Sequence, residues 1–390
     1  MTALYLLEPE RPRPHWIPFA GVRPVAELRA GVWKIRERWE AALDLETRAI
    51  LGDHIAHFHE GFEPACQAAG PIDGPAIIAA SWFAPTGAPI ILGGTTRRLT
   101  AGGHPVGWVV PSGQRWTGPD EAGEAQEIDG LTLRGTWDLL LALDRYLAND
   151  CLGFGAGPRD PVPTGAIVLG DPNLILTHRA RIEPGVVFDT HAGAIVLEAG
   201  VEVRHGTRLE GPLYAGPGSR LLGDHIRFSS IGPRCNVKGE VSNAIFTGYS
   251  NKGHDGFVGH TVLGHWVNLG AGTTTSNLKN TYGEVQLELD GVRVKTGRQF
   301  LGSLIGDHAK TAIGTMLPTG TVIGAGASVF GNGSVPKEVR PFAWGIEGSE
   351  RLHEEGFLTI AERVMPRREV EFTAARRAAL SATWKKLTAG

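Results

Sequence analysis

The chain is poor in cysteine, carries little net charge and has no long apolar run. Its 390 residues include three cysteines, Cys66, Cys151 and Cys235, far apart and with no CxxC pair. That spacing excludes a disulfide framework and a cysteine zinc site, and implies reduced thiols in a cytoplasmic protein. A net charge of −3 excludes a general nucleic-acid binder. No stretch approaches the roughly 20 apolar residues of a membrane span, and the N-terminal run ALYLL meets charge too soon for a signal peptide. The expected partners are therefore neither nucleic acid nor membrane. No carboxylate or histidine grouping marks a metal site.

Glycine is plentiful, with 54 residues, concentrated after Gly153. In the C-terminal half, Ile305, Thr311, Leu317, Ile323, Val329 and Val335 recur every sixth residue. A helix repeats near 3.6 and a strand at 2, so six fits neither. It fits a chain wound into a prism, with a short strand on each face and a turn at each corner. Small residues follow several markers (Gly306, Ala312, Gly324). This is a hexapeptide repeat, the signature of a parallel β-helix.

Residues 1–150 read as an α/β domain. Leu28, Val32, Ile35 and Trp39 give 25–43 an amphipathic helical period. The runs 3–7, 75–80, 89–92 and 103–111 suit buried strands. A helix is expected over 136–150, capped by Thr136. The Gly/Pro-rich stretch that follows marks a domain boundary. The repeat starts near Ile167 and fills a domain spanning 151–340. Two breaks are expected, at 241–256 and 277–297, the second a hairpin turning at Asp290-Gly291. Residues 341–390 form a helical tail, with helices at 349–364 and 367–387.

The two breaks carry the chemistry. The first holds Lys252-Gly253-His254-Asp255-Gly256. A histidine between glycines on a rigid scaffold suits a general base, and Asp255 is available to orient it. The plain alternative is a corner histidine bonded to backbone. The second cluster, Asn268-Leu269-Gly270-Ala271-Gly272-Thr273 through Asn277, offers amides and close backbone approach, but stacked Asn and Thr also form structural ladders.

From Lys252 through Asn277, and again at Phe300-Leu301-Gly302-Ser303, the spacing resembles the left-handed β-helix domain of the bifunctional UDP-N-acetylglucosamine pyrophosphorylase/glucosamine-1-phosphate N-acetyltransferases. The string YSNKGHDGFVGH…NLGAGTTTSNLKNTYG, with RPVAELR and KIRERWE near the N-terminus, is similar to a subgroup of sugar nucleotidyltransferases related to them. The resemblance implies a nucleotidyltransferase-like α/β domain, a left-handed parallel β-helix with C-terminal helices, and a homotrimer. It implies His254 as the base that deprotonates an acceptor amine attacking an acyl-CoA, most simply acetyl-CoA. Asn277 would orient the histidine. Asn268, with Lys238, Lys252 and Asp255, would meet the sugar, its phosphate or a nucleotide sugar. Ala271, Ser303 and Ala325 would line the coenzyme A channel.

Departures from the pattern are specific. Two family tyrosines, one of them a sugar-phosphate ligand, are Phe257 and Leu278 here. The N-terminal glycine loop that cradles a triphosphate is replaced by Glu8-Pro9-Glu10-Arg11-Pro12-Arg13-Pro14, without glycine and short of N–H donors. Gly93-Gly94-Thr95-Thr96-Arg97 lies some eighty residues too late and reads as a turn. Arg11, Arg23 and Arg29 are the remaining candidates for a nucleotide phosphate, with Mg²⁺ needed only if this domain is active. Three readings stay open: an acyltransferase with a degenerate N-terminal domain, an active sugar-1-phosphate nucleotidyltransferase on a trimerising β-helix, and a non-catalytic sugar-nucleotide binder.

Overall fold

The computed structural model describes residues 2–157, 159–346 and 350–389. They divide into two compact units, one of residues up to 136 together with 373 onward, the other of 137–372.

The first unit is built on a seven-stranded sheet. Its order is Glu124–Glu127, Thr96–Ala101, His104–Val110, Ala76–Ala80, Ala3–Leu7, Thr47–Leu51, Ala65–Gln67. The apolar runs Ala3–Leu7 and Ala76–Ala80 lie at its centre and pair in parallel, as strands covered on both faces do. The chain passes from Ala3–Leu7 to one side and then to the other, which opens a crevice at the strands' C-terminal ends.

The single helix expected over 25–43 is broken. Residues Val25–Glu27 form a 3₁₀ turn, Arg29–Ala30 pairs with Trp33–Lys34, and only Ile35–Leu43 is α-helical. The cause is Glu8, buried just after the first strand. Its carboxylate accepts the Val25 and Ala26 N–H groups at 2.8 and 3.0 Å and fixes the turn. Residues 89–92 are not a strand. Ile91 is 84% exposed, and Ile90 instead donates its N–H to Ala42 as a connector. The last helix, Ala374–Thr388, belongs to this unit: Arg376 bonds the Glu60 carbonyl at 2.7 Å, and Thr383 meets His57 at 3.1 Å.

The second unit is a three-faced parallel β-solenoid, consistent with a left-handed β-helix. The first face runs from Ile167–Leu169 to Phe257–Gly259 and on to Met316–Leu317, the second from Ile175–Thr177 to Glu338–Val339, the third from Arg181–Ile182 to Ala343–Trp344. Strands of two to four residues alternate with corners of about four, which is the origin of the six-residue period. Inward residues of successive rungs stack in columns such as Val203, Leu221 and Val237. At the corner between the second and third faces, Arg234, Tyr249, Trp266, His308 and Phe342 all have positive φ. Tyr249 stacks on Trp266 (4.5 Å) and Trp266 on His308 (6.1 Å). Phe357, from the helix Glu354–Val364, closes the column edge-on to His308 at 5.4 Å.

The segment 241–256 does not interrupt the repeat. It is a regular coil bearing Glu240–Ser242, Ile245–Phe246 and Asn251–Lys252, each in register with its neighbours. Its period was hidden because this coil is short: Ser230 pairs with Ile245, 15 residues on. The second break is the expected hairpin, Gln286–Leu289 with Val292–Lys295, and Asp290 and Gly291 both have positive φ. The helix expected at 136–150 is Asp138–Gly153, packed in the second unit. Trp137 is its cap residue, and the buried Thr136 hydroxyl has no hydrogen-bond partner among the described residues. The helix expected from 349 begins at Glu354, and Ser349 itself lies outside the described residues. The divisions expected at 150 and 340 thus differ from those of the structure. Among the described residues no helix is long and apolar enough to cross a membrane.

Candidate functional site

His254 lies at the corner between the third and first faces, just beyond Asn251–Lys252. Its imidazole is exposed and makes no hydrogen bond among the described residues. What is fixed is its backbone. Lys252 occupies an inward column position, in register with Val237, and is 1% exposed. Its ammonium donates to the carbonyls of Lys238 (2.8 Å) and His254. Burial pushes the Lys252 ammonium down to about 8, against the attraction of Asp255 and Asp224. Gly239 and Gly256 make the corner possible: a Cβ at Gly239 would stand 2.7 Å from Lys252 Nζ, and one at Gly256 2.2 Å from the Thr273 carbonyl.

Asp255 does not orient the imidazole. It pairs with Lys238 at 2.9 Å, and the bond holds the carboxyl below, and the ammonium above, their ordinary ranges. Asp255 lines an open groove of about 670 Å³ along this edge, which also includes Arg208, Asp224, His225 and Phe257.

Asn277 lies at the opposite edge of the same face. Its amide N donates to Nδ1 of His260, 2.9 Å away, not to His254. His260 also stacks on Phe300 at 5.2 Å. Burial, assisted by Arg298, lowers its imidazole to about 4, so it is neutral at pH 7. His260 escaped notice in the sequence. The signal was its 17-residue separation from Asn277, about one coil. Ser303 is on this edge too, fully buried, its hydroxyl without a partner among the described residues.

Within one chain the structure separates the other candidates. Ala271 follows the third face, Ser303 precedes the second, and Ala325 follows the second, so the three occupy different corners. Asn268 sits in an asparagine ladder on the third face, accepting from Asn251 Nδ2 at 2.9 Å.

In the first unit, Arg23 and Arg29 are internal. Arg23 is 1% exposed, pairs with Glu60 at 2.7 Å and covers the Phe58 ring, while Arg29 donates to the Val32 carbonyl. Glu27 pairs with Lys34 and Arg36, both at 2.6 Å. Trp39 Nε1 bonds the carbonyls of Ala80 and Phe83. The N-terminal signature is thus a buried polar network pinning a loop to the sheet. Arg11 is exposed. The crevice at the strand ends is a cavity of about 410 Å³ that includes Glu8, Glu10, Asp53, His54, Trp82 and Trp116, with no lysine or arginine in its lining. Among the described residues no group of three or more His, Cys, Asp or Glu is placed to hold a metal ion.

Residues 4–155 match the sugar nucleotidyl transferase family. The chain is also 34% identical over 153 residues to a bifunctional sugar-1-phosphate nucleotidylyltransferase/acetyltransferase of Sulfurisphaera tokodaii, covering 38% of each. It is 29% identical over 224 residues to the bifunctional protein GlmU of Methanococcus vannielii, covering 55% of this chain and 48% of that one. Over 126 residues it is 30% identical to GlmU of Trichodesmium erythraeum, covering 32% and 22%. The chain therefore spans less than half the length of these relatives. Over its first unit the chain is similar to the sugar nucleotidyl transferases, and over part of its length to the bifunctional nucleotidyltransferase/acetyltransferases.

Proposed function

We propose that the solenoid transfers an acyl group, most simply acetyl, from acyl-CoA to an amine on a sugar, sugar phosphate or nucleotide sugar. The observation that carries this reading is the His254 corner: a free, solvent-facing imidazole on a backbone clamped by a buried lysine, beside an open groove. The imidazole takes the amine proton as the nitrogen attacks the thioester carbonyl. The C–N bond forms, the C–S bond breaks, and the thiolate leaves and is reprotonated. Asp255 lines the groove for the acceptor, and Lys238 is paired to it.

His254 and Asn277 lie on opposite edges of one face, so a single chain offers half a site at each edge. A closed ring of copies packed face to face brings unlike edges together, which favours a homotrimer with sites between chains. Ala271 shares the edge of His254, and Ser303 that of Asn277. In such a ring they would approach one acyl-CoA from two chains.

The test is His254→Ala, assayed at saturating acetyl-CoA with glucosamine 1-phosphate as acceptor. General-base assistance is worth about 10²–10⁴ in rate, so turnover should fall by that factor while the melting temperature stays put. Wild-type turnover in the variant would refute the assignment.

A second reading is nucleotidyl transfer by the first unit, favoured by the family match over 4–155 and by the crevice at the strand ends. Its acidic lining and the absence of a glycine loop count against binding a triphosphate. Release of pyrophosphate from UTP and a sugar 1-phosphate would establish it.

A further inference from the structure

The outward side of the third face carries Asn236, Asn251, Asn268 and Lys310 on successive rungs. Asn236 Nδ2 donates to Asn251 Oδ1 at 3.1 Å, and Asn251 Nδ2 to Asn268 Oδ1 at 2.9 Å. In both bonds the NH₂ of one rung donates to the oxygen of the next. The series then reaches Lys310, which has donors only. Among the described residues, Asn268 Nδ2 meets no acceptor. The Lys310 ammonium has a single long contact, 3.4 Å to the His308 carbonyl, and no carboxylate partner. Two donor-bearing side chains thus occupy adjacent rungs of the same face.

The Lys310 side chain is also half-buried. Burial alone pushes its ammonium down to about 8, and no neighbouring charge contributes. A desolvated, unpaired cation is costly to keep. Further down the same face Arg368 adds to the imbalance. Its guanidinium reaches Asn251 Oδ1 at 3.4 Å, and its Nε is buried without a partner. The adjacent Glu369 is committed to Arg234.

We propose that the rung formed by Asn268 and Lys310 is an oxyanion site, taking a phosphate or a carboxylate between the Lys310 ammonium and the Asn268 amide. A phosphate or carboxylate oxygen supplies both the missing acceptor and the missing charge. Charge-assisted bonds of this kind are the strong ones. The site does not depend on acyl transfer, and its test reads binding alone.

The experiment is thermal denaturation at pH 7 of the wild-type chain, Lys310→Met and Lys310→Gln. Each is titrated with orthophosphate, acetate or glucose 1-phosphate, against sodium chloride of equal ionic strength. A ligand that binds only the folded state raises the melting temperature. At least one of the three anions should raise it for the wild type and leave both variants unmoved. A response to orthophosphate identifies a free phosphate group as sufficient, one confined to glucose 1-phosphate a phosphate ester, and one to acetate a carboxylate. Without added anion, Lys310→Met should melt at or above the wild type, because it removes a half-buried charge that has no carboxylate partner among the described residues. The proposal fails if no anion moves the wild type, if the variants respond equally, or if Lys310→Met melts lower in plain buffer.

Discussion

Lys252 stands in a column otherwise filled by Val203, Leu221 and Val237. Its stem replaces an aliphatic side chain and its head closes the corner that bears His254. Because its folded pKa (about 8) lies below the ordinary lysine value of 10.5, the unfolded chain binds more protons between those limits. Stability should therefore rise with pH from about 8 to 10.5, by at most about 1.4 kcal/mol per pH unit for one proton. Urea melts across that range should show this slope in the wild type, and a shallower one in Lys252→Met. Glu8 makes a parallel case in the first unit. Glu8→Ala strands the buried N–H groups of Val25 and Ala26, so a loss of about 1–3 kcal/mol is expected, readable from the urea midpoint. Such roles were only partly legible beforehand. Residue type and its glycine-flanked loop singled out His254, and the family resemblance added Lys252 and Asn277. Which side chain meets which depended on coil length, and one coil of separation places Asn277 on His260.

At the scale of elements, the corners decide what the repeat tolerates. Gly256→Ala would push a methyl into the Thr273 carbonyl at a φ of 119°. A loss of about 1–3 kcal/mol is expected, with the His254 loop displaced. Gly206, at φ 78°, has open space around it, so Gly206→Ala should cost only the left-handed backbone penalty of about 1–2 kcal/mol. Equal urea midpoints for the two variants would show that the clash is relieved cheaply. The six-residue period made the solenoid plain from sequence. It failed at 241–256 because one coil is shorter than the rest, and a fixed period reads a short coil as a break. The helix pattern of 25–43 failed differently. Apolar spacing was right for Ile35 and Trp39, but a carboxylate seventeen residues upstream of Val25 claimed the N–H groups that would have begun the helix.

For the whole molecule, the proposal of sites between chains makes assembly a condition of activity. Light scattering at micromolar concentration should give three times the mass of one 41.6 kDa chain, and specific activity should fall on dilution in step with the trimer. A stable monomer would remove the structural basis for joining His254 to Asn277. The division of the chain has its own consequence. The first unit is made from both ends of the described sequence, with Ala374–Thr388 bonded to Glu60 and His57, while the solenoid occupies the middle. Topologically the solenoid is a guest inserted in a host that is complete only once residues 374–388 have been made. During synthesis the coils can wind rung upon rung as they appear, whereas the earlier segment waits for the last helix. Residues before 137 are then made ahead of the solenoid but finished after it.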